Sequence, residues 1–570
     1  MSEWGPVLLA PDRTRFRLWA PDRQAVTLEI AGGDGVAMTR DAEGWFSAEA
    51  PVGAGTRYRF RVDDMAVPDP ASRAQVGGVN GWSVVVDQRA YPWRAGDWHG
   101  RPWEEMVIQE VHAGVLGGFA GVAEQLPALA QLGVTAIELM PVNAFGGTRN
   151  WGYDGVLPYA PAESYGSPDD LKALVDRAHE LGLSVFLDVV YNHFGPDGNY
   201  LGAYAKEFFH PEVHTPWGGA VAVDTPAVHR FFVDNALMWL GDYRIDGLRF
   251  DAVHAINNNA FLDAMAAEIR DRMGADRHVH LVLENESNDA ERLGEGRFDA
   301  QWNDDFHNVL HVLLTGETSA YYGDFAERPA ERLARCLSEG FIYQGEGSPN
   351  HDGKPRGKPS AQLPPTAFVS FLQNHDQIGN RAMGERLTLL ADTEKLRAAT
   401  ALLLLGPQIP LLFMGDELGS EAPFLFFTDF HDELADAVRE GRRKEFAKFA
   451  AFADPAARER IPDPNAVQTF ERSRPMPGPD AEAWRSLYRH LLGLRHDALV
   501  PRLNGARSEG ADPIGEAAVT ARWRMGDGAL LTVAINLGDT SVAFPRAATA
   551  PLFAQGEPGA PGSVSVWIDQ

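Results

Sequence analysis

The nine residues Val185-Phe186-Leu187-Asp188-Val189-Val190-Tyr191-Asn192-His193 decide the fold. Their first six positions are apolar on both faces of a strand but for one acid, and the run then breaks into polar residues. A sheet with one wet face alternates apolar and polar. A continuous apolar run instead fits a parallel strand covered by helices on both sides. The preceding segment agrees. Ser167-Pro168-Asp169-Asp170-Leu171 opens like a capped helix, with Ser at the N-cap, Pro at the first helical position and acids in the first turn. Its amphipathic pattern runs to Leu181 and stops at Gly182.

The same alternation continues in both directions. Met106-Val107-Ile108, Thr135-Ala136-Ile137-Glu138-Leu139 and His280-Leu281-Val282-Leu283-Glu284 are further apolar runs followed by amphipathic stretches. Eight candidate strands fall between Met106 and Glu417, which favours a closed (β/α)8 barrel over an open doubly wound sheet. Before the barrel, Arg15-Phe16-Arg17-Leu18-Trp19 and Arg57-Tyr58-Arg59-Phe60-Arg61-Val62 have a period of two and short turns, as in a β-sandwich. After it come a charged helix near Leu434–Phe452, a helix around Trp484–His496, and the strands Ala518–Trp523 and Leu530–Asn536. The expected division is therefore an immunoglobulin-like β-sandwich over 1–90, a catalytic barrel with excursions over 91–483, and a helix with a small all-β domain over 484–570.

Composition narrows the function. The formal charge of −28 argues against nucleic acid or an anionic membrane as partner, since phosphates would be repelled. The opening residues MSEWGPVLLAPD lack the basic start and long apolar stretch of a signal peptide. A single cysteine, Cys336, rules out an internal disulfide and a cysteine-rich zinc site. A cytoplasmic setting is expected, with Cys336 a structural thiol.

Four strands end in ionisable groups at the rim where barrels place their chemistry. The third gives Asp188 and His193, the fourth Arg249 and Asp251, the fifth Glu284, and the seventh His375 and Asp376. One acid at a strand end is commonly a solvated or salt-bridged group. Four such ends converging on one rim have no structural need. Cleaving a glycosidic bond with retention requires that grouping: a carboxylate nucleophile and a carboxylic acid, about 5–5.5 Å apart. Arg249, two residues before Asp251, points to the same side of its strand and can hold it ionised. A third acid would raise the pKa of the general acid and stabilise an oxocarbenium-like transition state.

In these four motifs the sequence resembles family 13 of the glycoside hydrolases, the α-amylase superfamily. The resemblance implies Asp251 as nucleophile, Glu284 as acid/base and Asp376 as transition-state stabiliser. It implies Arg249 as the residue orienting the nucleophile, His193 and His375 as donors to the sugar at subsite −1, and Asp188 as a supporting carboxylate. Tyr153, in Trp151-Gly152-Tyr153-Asp154, matches the aromatic that stacks on that sugar. A narrower likeness runs through Arg149–Val156, Tyr191–Tyr200, Asp299–His307, Gln377–Arg381, Pro423–Asp429 and Val438–Phe446. These segments are similar to the malto-oligosyltrehalose trehalohydrolases, which hydrolyse the α-1,4 bond joining a terminal trehalose to a malto-oligosaccharide. The partners implied are malto-oligosyltrehalose and α-1,4-glucan oligosaccharides, with no cofactor. A branching enzyme or another amylase-type hydrolase is the alternative, because the covalent intermediate is the same. The sequence departs from its relatives in the short His112–Phe119 loop, at Gly147 and Asn308, and in Asn257-Asn258-Asn259.

Further candidates lie around this set. His254 suits a +1 subsite or a packing role. Asp304 and Asp305 suit trehalose hydroxyls or solvent. Phe424, with Phe426 and Phe427, suits an apolar wall for the disaccharide or core packing. Asn192 matches a calcium-ligand position of some amylases, but no Asp-rich loop accompanies it, and no metal is expected.

Overall fold

A computed structural model of the protein describes residues 4–215, 218–447, 450–545 and 549–570. Its centre is a closed barrel of eight parallel strands: β1 (Ile108–Val111), β2 (Ala136–Leu139), β3 (Ser184–Val189), β4 (Gly247–Phe250), β5 (His280–Leu283), β6 (Ala300–Trp302), β7 (Phe368–Ser370) and β8 (Ile409–Phe413). Closure is made by β1 against β8, with Ile108 opposite Leu411 and Glu110 opposite Phe413. Every residue of these strands is buried, as continuous apolar runs predict.

The barrel interior is filled by Met106, Ile108, Ala136, Phe186, Val282, Ala300, Trp302, Val369, Phe371, Ile409 and Leu411. It is a packed core, so ligands meet only the ends of the strands. Phe186 explains the glycine that opens β4. A Cβ on Gly247 would lie 2.2 Å from the Phe186 ring, so the ring takes the space a side chain would need.

The helix read from the sequence is present as Pro168–Glu180. Ser167 Oγ accepts from the Asp170 N–H at 3.2 Å, and Asp170 Oδ2 accepts from the Ser167 N–H at 2.8 Å, a reciprocal capping box. The charged helix runs over Asp432–Phe446, short of its expected end at Phe452; residues 448–449 of that span lie outside the described residues. The seventh strand ends at Ser370, so Asp376 is not at its tip. It sits in the first turn of a short helix, His375–Gly379, where Asn374 caps the Gln377 N–H at 3.1 Å. Polar capping residues between strand and helix made the two read as one element.

Two antiparallel sheets precede the barrel, one containing Arg13–Trp19 and the other Val26–Ile30 and Arg57–Val62. Phe16 and Leu18 from the first, and Leu28, Tyr58 and Phe60 from the second, are fully buried between them. Trp4 ties this unit to the barrel, edge-to-face on Phe208 and Phe231. A five-stranded antiparallel sheet closes the chain, from Arg507–Gly515 to Ser563–Asp569. Its Trp523 donates to Leu337 O of the helix Pro329–Glu339 at 3.2 Å. Among the described residues no helix is long and apolar enough to cross a membrane.

Candidate active site

The strand ends open into a cavity of about 570 Å³, within the range of roughly 300–1,000 Å³ usual for ligand sites. Its floor holds Asp251, Glu284 and Asp376, with His193, His375 and Tyr153 along one side. His254, Glu286, Asp304, Asn308, Arg356 and Phe426 also line the cavity. The long connection between β6 and β7 supplies Tyr321, Asp324, Phe325, Asn350 and His351 to the rim.

Arg249 organises the floor from below. Its guanidinium is fully buried, and it lies 2.7 Å from Asp188 Oδ2, 3.0 Å from Asp251 Oδ1 and 2.9 Å from Glu284 Oε2. The cation also sits over the Trp302 ring, 4.1 Å from its centre. A single guanidinium thus faces three carboxylates, at the ends of β3, β4 and β5. Asn192 donates to the other oxygen of Asp251 at 2.8 Å. Glu284 Oε2 also accepts from the Ala252 N–H at 2.8 Å.

The two acids differ in environment. Burial pushes Glu284 up, Arg249 pulls it down, and the charges of Asp251 and Asp376 push it up again, to about 7. Asp251 is raised too, chiefly by burial, with Arg249 and the Asn192 hydrogen bond opposing. Asp376 moves the other way: the adjacent His375 overcomes the effect of burial and lowers it. An acid raised to about 7 beside one that is lowered is the kind of separation an acid/base site needs.

The surrounding side chains are held firmly. Gly152 takes a positive φ of 107°, and a Cβ there would meet Pro141 O at 2.1 Å, so only glycine turns the chain here. That turn presents Tyr153, whose hydroxyl donates to Asp188 Oδ2 at 2.6 Å and whose ring stacks on His375 with centres 5.1 Å apart. His193 is fixed by Tyr153 O at 2.9 Å and by the Asn192 side chain.

Two expected substrate contacts are not in the cavity. Phe424 is fully buried, stacked on Trp151 at 5.4 Å and packed against Phe413 and Phe427; it belongs to the core. Its neighbour Phe426 is the aromatic that faces the cavity. Asp305 is also buried, paired with Arg356 at 3.1 Å and accepting from the Ile342 and Tyr343 N–H groups, so it braces the β6–β7 connection from behind. Asp304, one residue earlier on the same helix, lines the cavity, and burial together with the charge of Glu284 raises it to about 8. Adjacent positions on a helix point about 100° apart, which separates the two acids. His254 lies at the cavity wall, 3.6 Å from Glu286.

Two buried acids escaped the sequence reading. Glu110, on β1, lies 2.5 Å from His375 Nδ1. Glu138, on β2, is fully buried, and burial with the nearby charges of Glu110 and Asp188 holds its carboxyl well above the ordinary range. Both interrupt apolar runs, the same signal that marked Asp188.

Comparison with known proteins gives a consistent result. The catalytic-domain model of the alpha amylases matches residues 87–214, and a domain of unknown function matches residues 506–567. The chain is 40% identical to malto-oligosyltrehalose trehalohydrolase of Rhizobium sp. (strain M-11), over 95% of this chain and 94% of the relative. It is 43% identical to malto-oligosyltrehalose trehalohydrolase of Deinococcus radiodurans, over 85% of this chain and 81% of the relative. A crystal structure from Salmonella typhimurium, of a protein grouped by its description with the alpha amylases, superposes with a TM-score of 0.94 at 47% identity, covering all of both chains.

Proposed function

The chain belongs to the malto-oligosyltrehalose trehalohydrolases, α-amylase-type glycoside hydrolases, and from that premise we propose that Asp251, Glu284 and Asp376 release trehalose from malto-oligosyltrehalose with retention. The observation that carries the assignment of roles is the bracket of Arg249 on Asp251 and Glu284 at the cavity floor.

Asp251 attacks the anomeric carbon of the sugar that precedes the trehalose unit. As that bond forms, the bond from the carbon to the glycosidic oxygen breaks, and Glu284 delivers its proton to the departing oxygen. Trehalose leaves with that proton, and the malto-oligosaccharide stays as an ester on Asp251. Glu284, now a carboxylate, takes a proton from water, whose oxygen displaces Asp251 and restores both acids. Asp376 faces the positive charge that develops on the ring in each step. Tyr153, His193 and His375 hold the sugar at subsite −1. His254, Phe426 and a protonated Asp304 face the departing disaccharide, Asp304 as a hydrogen-bond donor; Asp305 and Phe424 support them from behind.

The lone thiol of Cys336 is buried and donates to Gly340 O at 3.2 Å, which supports a reducing compartment, the cytoplasm.

A side-by-side digestion tests the reading. Malto-oligosyltrehalose and a plain malto-oligosaccharide of equal length are incubated with the enzyme and with Asp251→Ala, and the products are separated by chromatography. The first substrate should yield free trehalose far faster than the second is cut, and the variant should be inert on both. Equal rates on the two, or new α-1,6 branches in amylose, would point to a general amylase or a branching enzyme.

A further inference from the structure

His375 has an acid at each ring nitrogen. Nδ1 lies 2.5 Å from Glu110 Oε1, and Nε2 lies 3.3 Å from Asp376 Oδ1. Glu110 Oε2 also accepts from the His375 backbone N–H at 3.0 Å, so one carboxylate grips both the ring and the chain that carries it. The ring cannot turn away. It is stacked on Tyr153 and meets the Trp151 ring edge-on at 5.5 Å. Neutral imidazole has one N–H, whereas two carboxylates ask for two donors. The side chains of Glu110 and His375 are each 1% exposed, so neither acid nor ring can exchange its partner for bulk water.

We propose that Glu110 is a positioning residue for the reaction: from β1 it holds the His375 ring as an imidazolium aimed at Asp376, and so keeps Asp376 ionised beside the reacting sugar. Other charges face this group from every side. Arg249 of β4 is the nearby cation, but its fork is taken by Asp188, Asp251 and Glu284. Asp188 of β3 and Glu138 of β2 both act on His375 as acids; His112, just past β1, is pushed down to about 4 by burial and stays neutral. Asp416, after β8, faces Glu110 and is raised to about 6, largely by burial. Glu110 and Asp376 are thus the only acids that touch the ring among the described residues, and Glu110 is the one with no work at the sugar.

The inference rests on the reading of Asp376 as the group that stabilises the transition state. In Glu110→Gln the Nδ1–H keeps an acceptor but the ring loses its fixed negative partner. The buried ring then has only Asp376 in contact to offset burial, and it gives up its proton as pH rises. Once neutral it turns a lone pair toward Asp376. Above its pKa the imidazolium fraction falls about tenfold for each pH unit. We therefore expect kcat on malto-oligosyltrehalose, taken as a ratio to wild type at each pH, to fall by about tenfold or more between pH 5.5 and pH 8, with little change in KM. A uniform loss at all pH values, or a wild-type profile, would overturn the proposal. Should the variant not fold, ¹⁵N NMR of ring-labelled wild-type enzyme decides, with His375→Gln for assignment: both nitrogens of His375 should stay protonated to pH 8, and a ring neutral at pH 7 would overturn it. Asp376→Ala separates the two claims. Loss of turnover there with an unaltered Glu110→Gln profile rejects the role of Glu110 alone, while retained turnover in Asp376→Ala rejects the reading beneath it.

Discussion

Most of the residues that meet at or beneath the cavity floor could be read from the sequence, because a charge at the end of an apolar run has few structural explanations. Asp188, Arg249, Asp251 and Glu284 were visible in that way. Glu110 and Glu138 obey the same rule, yet each sits inside its run and looks like an interruption of the strand. Asp305 and Phe424 were misplaced because sequence spacing cannot say which of two adjacent residues faces a cavity. Asp304 shows what such a place costs. Its pKa is 3.8 when unperturbed and about 8 in the folded protein, so between those values the folded chain holds a proton that the unfolded chain has released. The group therefore contributes stability below about pH 4 that drains away as pH rises to about 8. Asp304→Asn should match wild-type stability at pH 4 and exceed it at pH 9, by thermal or chemical denaturation at the two values. An equal effect at both would mean that Asp304 is ionised throughout. A cavity-lining acid that destabilises the fold at high pH fits the usual trade between stability and function.

At the scale of elements, period and capping chemistry located the helix Pro168–Glu180 closely, and apolar runs located the barrel strands to within a few residues. The errors came where polar residues continue a strand into the next element, as between Ser370 and His375. There the hydrogen bond from the Gln377 N–H to the Asn374 side chain, not hydrophobic pattern, starts a new helix. The Ser167 cap offers a clean check because its serine is exposed and does not line the cavity. Ser167→Ala removes one half of the capping box and should cost about 1 kcal/mol of stability by urea denaturation, with activity unchanged. An unaltered midpoint would mean that proline at the first position and the acidic first turn suffice to start the helix.

At the scale of the whole molecule, alternating strands and helices implied the barrel, and period-two segments implied the sheets at either end. What could not be read was the rim. The connection between β6 and β7 spans residues 303–367 and brings Tyr321, Asp324, Asn350, His351 and Arg356 over the cavity, through contacts between residues distant in sequence. The floor carries the proposed chemistry: Arg249 lies 3.0 Å from Asp251 and 2.9 Å from Glu284, and the double displacement proposed for that pair makes a prediction about the anomer released. The most direct measurement is ¹H NMR of a malto-oligosyltrehalose digest in its first minutes, before the new reducing end mutarotates. Free trehalose should appear together with the α anomer of the released malto-oligosaccharide. Appearance of the β anomer first would contradict double displacement at Asp251.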